Sequence, residues 1–236
     1  MFSQCYLAMT GAELSRCEVL PPHLVWMACH FSPYGTGLSN CPRQLPKGSL
    51  IMINDRTPVH GHDPAVIAEQ LHSMLQQLEP AGFVLDLQRP EVSETASIVK
   101  ELENSLSCPV AVSEAYAHLT TGPVFLSAPP LDIPLPRHMA PWANREVWME
   151  AALEGLVLTV TPEGCKIQPL SPADLPEPFH TDDHLHCDYH IQPQENTLRF
   201  TLMRTPDHLC SLLEEAASLG VQKFIGLYQQ LQPHHN

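Results

Sequence analysis

The feature that most constrains the fold is a regular alternation, through about residue 130, between short β-branched or aromatic runs and longer segments of helical period. Short apolar runs bounded by turn residues predict strands, and strands that alternate with helices are typical of β-α units around a parallel sheet. Six strands are predicted here: Cys5–Thr10, Leu24–Phe31, Leu50–Asp55, Phe83–Leu87, Val110–Ser113 and Val124–Ser127.

The helix predicted after the third strand has the clearest boundary signals. Asp63 is a favourable N-cap residue, and Pro64 follows at the first helical position, where its missing N–H is tolerated. Apolar residues then recur on one helical face at Ile67, Leu71, Met74, Leu75 and Leu78. A second helix is predicted from about Ser93, with apolar residues at Ile98, Leu102 and Leu106.

The pattern changes between residues 129 and 178, where prolines are concentrated. A helix is predicted near Arg145–Leu153, followed by two strand pairs, which are Leu156–Thr161 with Cys165–Leu170 and Leu185–Ile191 with Leu198–Met203. Regularity returns with a helix capped by Thr205 and Pro206, which ends at Gly220 and leads to a last strand, Lys223–Tyr228.

These elements predict an α/β fold, an irregular (β/α)8 TIM-type barrel with Leu198–Met203 as the seventh strand and Lys223–Tyr228 as the eighth. A chain of 236 residues is long enough for one such barrel. We therefore expect a single barrel domain over residues 1–236, with a hairpin-rich insertion at about residues 130–195. A doubly wound open sheet would explain much of the same pattern.

Charge and composition exclude several classes of partner. The 12 Lys and Arg residues against 26 Asp and Glu give a net charge of −14, which repels phosphate backbones and anionic lipid surfaces, so neither nucleic acid nor membrane is expected. The eight cysteines are dispersed without a C-x-x-C, and no signal peptide is recognisable, so a reduced, cytoplasmic protein is expected. Nucleotide-binding glycine motifs are also missing from the sequence, and no cofactor is expected.

Candidate functional residues follow the predicted strands, because the active face of a barrel lies at the carboxyl ends of its strands. Asp55, Asp86 and Glu114 are predicted as catalytic, since carboxylates at the ends of apolar strands are unfavourable unless they are paired or used. Helix capping, or pairing with Arg56 and Arg89, would explain the same carboxylates. The residues predicted to bind a ligand are His30, Gln88, Arg89, Tyr116, Trp142 and Tyr228.

The fourth predicted strand carries a family resemblance. Residues 81–90, AGFVLDLQRP, resemble the strand-4 motif D-G-x-D-x-D-x-E-Y-P of chitinase-like family 18 glycoside hydrolases. Gly82, Asp86 and Pro90 match the motif, whereas its first two acidic positions are Ala81 and Val84 in this chain. The position of the catalytic glutamate is Gln88. The resemblance covers ten residues and keeps the register of the motif while losing its proton donor.

The resemblance implies a small-molecule or oligosaccharide ligand. In the family, the glutamate protonates the glycosidic oxygen while the acetamido group of the substrate attacks, oriented by the neighbouring aspartate. Gln88 has no acid proton to give, and loss of general-acid help removes a factor of about 10²–10⁴ in rate. The resemblance therefore implies a catalytically degenerate, sugar-binding barrel, with Asp86 and Gln88 as hydrogen-bonding groups. Its expected stacking surfaces are Tyr116, Trp142, Trp148 or Tyr228.

Three other interpretations remain open from the sequence. Glu114 could act as the acid of an active glycosidase with Asp86, or His60 and His62 could hold a metal for hydrolysis. A protein-interaction module, formed by pairing of the inserted strands with another chain, is the third, and the sequence leaves the oligomeric state undetermined. A further histidine run, His184 to His190, is predicted to be the solvated face of a strand, so no metal ligands are assigned there.

Overall fold

The computed structural model describes residues 5–171 and 179–232, which form two compact units. The barrel unit comprises residues 5–127, 144–150 and 221–232, and the sheet unit comprises residues 128–143, 151–171 and 179–220. The single-domain organisation expected from the sequence stays a prediction. Among the described residues, no helix is both long and apolar enough to cross a membrane.

The strands, in chain order, are β1 (Cys5–Met9), β2 (Leu24–Phe31), β3 (Leu38–Ser39), β4 (Leu50–Asn54), β5 (Gly82–Asp86), β6 (Val110–Ser113), β7 (Val124–Leu126), β8 (Val147–Glu150), β9 (Gly155–Thr161), β10 (Gly164–Pro169), β11 (His180–Asp182), β12 (Cys187–Gln194), β13 (Thr197–Met203) and β14 (Val221–Leu227). The α-helices are α1 (Gly11–Arg16), α2 (Pro64–Leu78), α3 (Ser93–Ser105), α4 (Leu135–Met139), α5 (Pro206–Ser218) and α6 (Tyr228–Leu231). Short 3-10 helices lie at Glu114–Leu119 and Ala140–Trp142.

Within the described residues, the barrel unit closes eight parallel strands into a TIM-type barrel, as predicted. The strands follow the order β1, β2, β4, β5, β6, β7, β8 and β14, and β14 pairs with β1 to complete the ring. The two-residue strand β3 pairs antiparallel with the end of β2. Because β1 has a parallel neighbour on both sides, the open-sheet alternative is wrong.

Helices α2 and α3 cover one side of the barrel. Asp63 caps α2 by accepting the N–H of Ala65 at 2.9 Å, so the predicted start of this helix is confirmed. Glu79 ends the helix in a left-handed conformation. Side chains alternate along a strand, so every second residue of β4 and β5 faces these helices. The buried cluster between them includes Ile51, Ile53, Phe83, Leu85, Ile67, Leu71, Ile98 and Leu102.

The strand residues that point away from the helices fill the barrel interior. The buried residues there are Ala8, Val25, Leu50, Met52, Val84, Ala111, Phe125, Trp148 and Ile225. Gly82, at the start of β5, lies against this cluster with φ 156°, and a Cβ there would be 2.7 Å from the Pro109 carbonyl oxygen and 3.0 Å from the Trp148 ring. Two residues beyond Val84 on the same face, Asp86 is directed toward the carboxyl end of the interior.

The seventh strand was wrongly predicted. It is β8, in the segment expected to be helical, while Leu198–Met203 belongs to β13 of the sheet unit. Val147, Trp148 and Met149 are all buried, and a short run that is apolar on both faces has no period that separates strand from helix. β13 instead pairs antiparallel with β12 and β9.

The sheet unit contains an antiparallel sheet with the order β10-β9-β13-β12-β11 among its described residues. The two predicted strand pairs are confirmed as β9 with β10 and β12 with β13. The helix predicted to begin after Thr205 is α5. The Thr205 hydroxyl caps it by accepting the N–H of His208. Leu131, Cys187 and Leu202 form the buried centre of this unit.

The histidine run of the sheet unit is not one strand. β11 ends at Asp182, whose Oδ1 accepts the N–H groups of His184 and Leu185 and starts a turn over residues 183–186. His186 has φ 50° and is buried, with its Nε2 2.6 Å from Glu215 Oε2. The prediction that His186 lies on a solvated strand face is therefore wrong.

Candidate functional site

A cavity of about 430 Å³ opens at the carboxyl ends of β1, β2, β4 and β5. The residues that line it are Thr10, Met27, Ala28, His30, Asn40, Met52, Asn54, Asp55, Arg56, Asp86 and Gln88. Its volume is in the range of small-molecule sites, and polar side chains surround a floor of Met27 and Met52. We call it the mouth cavity.

Asp86 and Gln88 form the central polar pair of the mouth cavity. The Gln88 amide donates from Nε2 to Asp86 Oδ1 at 3.2 Å, and Asp86 is half-buried whereas Gln88 is exposed. The backbone between them is tied to β6, because Leu87 N–H donates to Ser113 Oγ at 2.7 Å and this hydroxyl donates to the Leu85 carbonyl at 2.9 Å. These hydrogen bonds hold the backbone at the end of β5 in place, and with it the Asp86–Gln88 pair.

Asp55 fixes the backbone that follows this strand. Its side chain is 5% exposed, and its carboxylate accepts the N–H of Gln88 at 3.1 Å and the N–H of Arg89 at 2.7 Å. A buried carboxylate needs hydrogen-bond donors, and here they come from the loop that carries Gln88. We call this arrangement the Asp55 clamp. It joins the loops after β4 and β5.

Arg89 and Tyr116 extend the clamp rather than line the cavity. Arg89 Nε donates to the Asp55 carbonyl at 2.8 Å, and its Nη2 donates to the Arg56 carbonyl at 3.1 Å. The Tyr116 hydroxyl donates to the Arg89 carbonyl at 2.9 Å, and the ring is 1% exposed. Burial raises the pKa of the Tyr116 hydroxyl, and the Asp55 charge adds to this effect. With its face covered, Tyr116 supports the loop.

The other predicted site residues fall in different places. His30 lines the mouth cavity, with its Nδ1 3.1 Å from the Ala28 carbonyl. Glu114 is exposed at the start of a 3-10 helix, Tyr228 begins α6 with its hydroxyl 3.9 Å from Cys17 Sγ, and Trp142 belongs to the sheet unit. None of these last three is among the described residues that line the mouth cavity.

Three polar residues that line the mouth cavity were not predicted from the sequence, namely Thr10, Asn40 and Asn54. Asn54 had a usable signal, since it continues the inward face of Leu50 and Met52 on β4. Its amide donates to the Met27 carbonyl at 3.3 Å, and its Oδ1 accepts the Arg56 N–H at 3.2 Å. Asn40 had no such signal, because its position depends on the short pairing of β3.

His60 and His62 do not form an open pair of metal ligands. His62 Nδ1 accepts the His60 N–H at 3.1 Å, so its Nε2 carries the proton and donates to the Ser32 carbonyl at 3.1 Å. Both ring nitrogens of His62 are therefore occupied by backbone groups, one in its own loop and one in the segment after β2. Across residues 5–171 and 179–232, no group of three or more His, Cys, Asp or Glu side chains has an arrangement suited to a metal ion.

Burial raises the pKa of the Asp86 carboxyl; the Gln88 hydrogen bond lowers it, and the nearby Asp55 charge raises it, with a net increase. A raised folded-state pKa means that ionisation of Asp86 opposes folding, so its unfavourable contribution grows as pH rises through that pKa. We expect Asp86→Asn to increase the free energy of unfolding more at about pH 7 than at about pH 3, where the carboxyl is protonated in both states. Urea unfolding of both proteins at the two pH values measures this difference, and an equal or opposite change would contradict it.

Comparison with solved structures finds the same barrel fold in other proteins. No protein-family model matches the chain, and no curated sequence does either. A chitinase from Chromobacterium violaceum has a TM-score of 0.53 at 8% identity, covering 94% of this chain and 93% of its own. The spore cortex-lytic enzyme SleL of Bacillus megaterium gives 0.53 at 8% identity, over 94% and 69%.

The chain shares the fold of these enzymes. A Bacillus subtilis protein described as a sporulation-specific glycosylase gives a TM-score of 0.51 at 9% identity, covering 75% of this chain and 78% of its own. At such identities the likeness establishes the barrel architecture alone. The carboxyl ends of the barrel strands, where barrel enzymes carry their sites, are where the mouth cavity lies.

Proposed function

We propose that this protein is a carbohydrate-binding barrel of the glycoside-hydrolase type that has lost its general acid. The observation that carries the proposal is the Asp86–Gln88 pair inside the mouth cavity, in which the Gln88 amide is hydrogen-bonded to the Asp86 carboxylate. Gln88 lies where the strand-4 motif that this segment resembles has its acid. The shared fold with a chitinase and a cortex-lytic enzyme supports an oligosaccharide as the ligand.

The chemistry of the cavity suits sugar recognition better than hydrolysis. The Asp86 carboxylate accepts hydrogen bonds from a hydroxyl or acetamido N–H, while the amides of Gln88 and Asn54 offer both donors and acceptors. Gln88 has no proton to transfer to a leaving group near neutral pH. Glu114, the alternative acid, is exposed and outside the lining of the cavity. The cavity therefore favours binding without turnover.

Within this proposal the predicted site residues have different roles. Asp86, Gln88 and His30 contact the ligand, whereas Asp55 is a positioning residue because its carboxylate is occupied by the N–H groups of Gln88 and Arg89. Arg89 and Tyr116 hold the same loop.

Isothermal titration calorimetry with soluble chitooligosaccharides tests the proposal. We expect heats that saturate, with no reducing ends released on long incubation. Sustained heat with reducing-end release would overturn the loss of catalysis and indicate an active hydrolase, in which Glu114→Gln would then identify the acid. The absence of any binding heat with a panel of chitooligosaccharides and other soluble glycans would overturn carbohydrate binding.

A pair of variants locates the binding site. We expect Asp86→Ala to weaken binding by at least tenfold, on the scale of a charge-assisted hydrogen bond of about 1.5–3 kcal/mol. Asp183→Ala removes an exposed carboxylate of the sheet unit and should leave the heats unchanged. Circular dichroism confirms that both variants fold. Equal affinity losses in the two variants would contradict the assignment of the mouth cavity.

A further inference from the structure

Two thiols meet beside the mouth cavity. Cys29 Sγ, on β2, lies 3.4 Å from Cys41 Sγ, and both cysteines are reduced. A disulfide has an S–S distance of about 2.0 Å, so a small rotation of the two side chains would bring the sulfurs to bonding distance. Cys41 follows β3 in a loop, where movement meets less resistance than in a strand.

The backbone places Cys41 beside Cys29 for a specific reason. β3 pairs antiparallel with β2 so that Ser39 is opposite His30, and continued pairing would bring Asn40 opposite Cys29. Asn40 instead has φ 55°, which turns the chain out of the ladder, and its carbonyl accepts the Trp26 Nε1–H at 2.9 Å. The following side chain, Cys41, therefore faces Cys29.

The two thiols differ in access. Cys29 is 0% exposed and packs among the outer core of the barrel unit. Cys41 is half-buried and lines a second cavity of about 800 Å³, together with Trp26, Asn40 and Arg43. A small oxidant in this cavity reaches Cys41, while Cys29 reacts through Cys41.

We propose that Cys29 and Cys41 form a reversible redox modification site, in which a hydroperoxide oxidises Cys41 and Cys29 completes the disulfide. The Cys41 thiolate attacks one peroxide oxygen, forming a sulfenic acid and releasing the other oxygen as water or alcohol after protonation. The Cys29 sulfur then attacks the Cys41 sulfur, and hydroxide leaves and is protonated to water. Two thiols lose two electrons and two protons, and the hydroperoxide accepts both.

The electrostatics of the pair favour this order of reaction. The hydrogen bond from Cys29 lowers the pKa of the Cys41 thiol, although burial opposes this effect. The same contact raises the pKa of Cys29, and burial raises it further. The thiolate is the nucleophile in such chemistry, so Cys41 is the sulfur that reacts first.

Oxidation at this site would fix the wall that two cavities share. Asn40 and Ala28 line both the mouth cavity and the second cavity, and a disulfide would tie the loop after Asn40 to β2. The proposal stands independently of carbohydrate binding, because it rests on the sulfur contact and on access alone.

Mass spectrometry of the full chain treated with hydrogen peroxide tests the site. Residues 17–43 form one tryptic peptide, since no Lys or Arg lies between Arg16 and Arg43, and it contains Cys17, Cys29 and Cys41. After oxidation, denaturation and alkylation, we expect this peptide to be two hydrogens lighter and alkylated once, at Cys17. Chymotryptic cleavage after Phe31 and Tyr34 then yields the two cysteines on separate peptides joined by a disulfide, which a reductant releases.

Matched variants assign the roles of the two sulfurs. In Cys29→Ser, dimedone should trap a sulfenic acid on Cys41, whereas in Cys41→Ser, Cys29 should stay unmodified. Cys108→Ser, which removes another partly buried thiol, should leave the cross-link unchanged. Alkylation of both Cys29 and Cys41 in oxidised wild-type protein, or a cross-link through Cys17, would overturn the proposal. The wild-type experiment decides this even if a variant fails to fold.

Discussion

Replacement of Trp148 by alanine is expected to lower the free energy of unfolding by about 3–5 kcal/mol, the usual range for loss of a buried aromatic side chain. Trp148 is 0% exposed and fills the interior of the barrel unit near Gly82, so its ring has no open face for the ligand stacking expected from the sequence. Its indole also donates from Nε1 to Glu146 Oε1 at 2.7 Å. Alanine would leave a cavity where the strands converge, and the ring of parallel strands cannot collapse to fill it.

A charged side chain adds to the role of Trp148. Lys223 Nζ lies 4.1 Å from the centroid of the indole ring and 3.9 Å from Glu146 Oε1. Burial lowers the pKa of the Lys223 ammonium, and Glu146 opposes this effect. Without the indole, this ammonium loses the aromatic face that partly replaces its hydration, worth about 0.5–2 kcal/mol.

Urea unfolding followed by far-ultraviolet circular dichroism measures the effect of Trp148→Ala. Trp148→Phe keeps an aromatic ring and most of the volume, so we expect it to retain a larger part of the stability. Trp142→Ala changes a half-exposed tryptophan of the sheet unit and serves as the control for a general effect of tryptophan loss. A loss below about 1 kcal/mol for Trp148→Ala would show that the barrel interior is not packed around this ring.

The sequence predicts the barrel well where each strand has its own local signals. The first six barrel strands and helix α2 are bounded by turn residues, capping residues or a change of period, and the structure confirms them. β8 has no such boundary, because Val147, Trp148 and Met149 are buried on both faces and can be read as helix or strand. The assignment of β13 to the barrel failed because strand partners depend on long-range pairing.

The candidate site was also predicted only in part, because local sequence signals do not show which long-range contacts a side chain makes. The rule that sites lie at the carboxyl ends of barrel strands is enough to find His30, Asp86 and Gln88, which line the mouth cavity. It cannot separate a ligand group from a group that holds the backbone. Asp55 and Tyr116 lie just beyond the carboxyl ends of β4 and β6, and Asp86 ends β5. The polar atoms of Asp55 and Tyr116 nevertheless bind the backbone of residues 88 and 89. Only hydrogen-bond partners distinguish these roles.

Replacement of Asp55 by alanine is expected to lower the free energy of unfolding by about 3 kcal/mol, because buried donors lose a charged acceptor. The N–H groups of Gln88 and Arg89 would both lose the carboxylate that they contact. Arg89 keeps its bonds to the backbone carbonyls of residues 55 and 56, so the loop should loosen without the whole barrel unfolding. Urea unfolding of Asp55→Ala against wild type measures the loss.

The Asp55 clamp should also act on ligand affinity through the position of Gln88. Asp55→Asn keeps one carbonyl oxygen as an acceptor, so we expect this variant to fold and to unfold at a lower temperature than wild type. We also expect it to bind chitooligosaccharides with unchanged stoichiometry but weaker affinity. A purely structural role would lower the fraction of binding-competent protein and leave the dissociation constant of that fraction unchanged. Calorimetry separates the two results, because stoichiometry and dissociation constant are obtained from one titration. Wild-type affinity in Asp55→Asn would contradict the positioning role. Asp55 would then only connect the loops after β4 and β5.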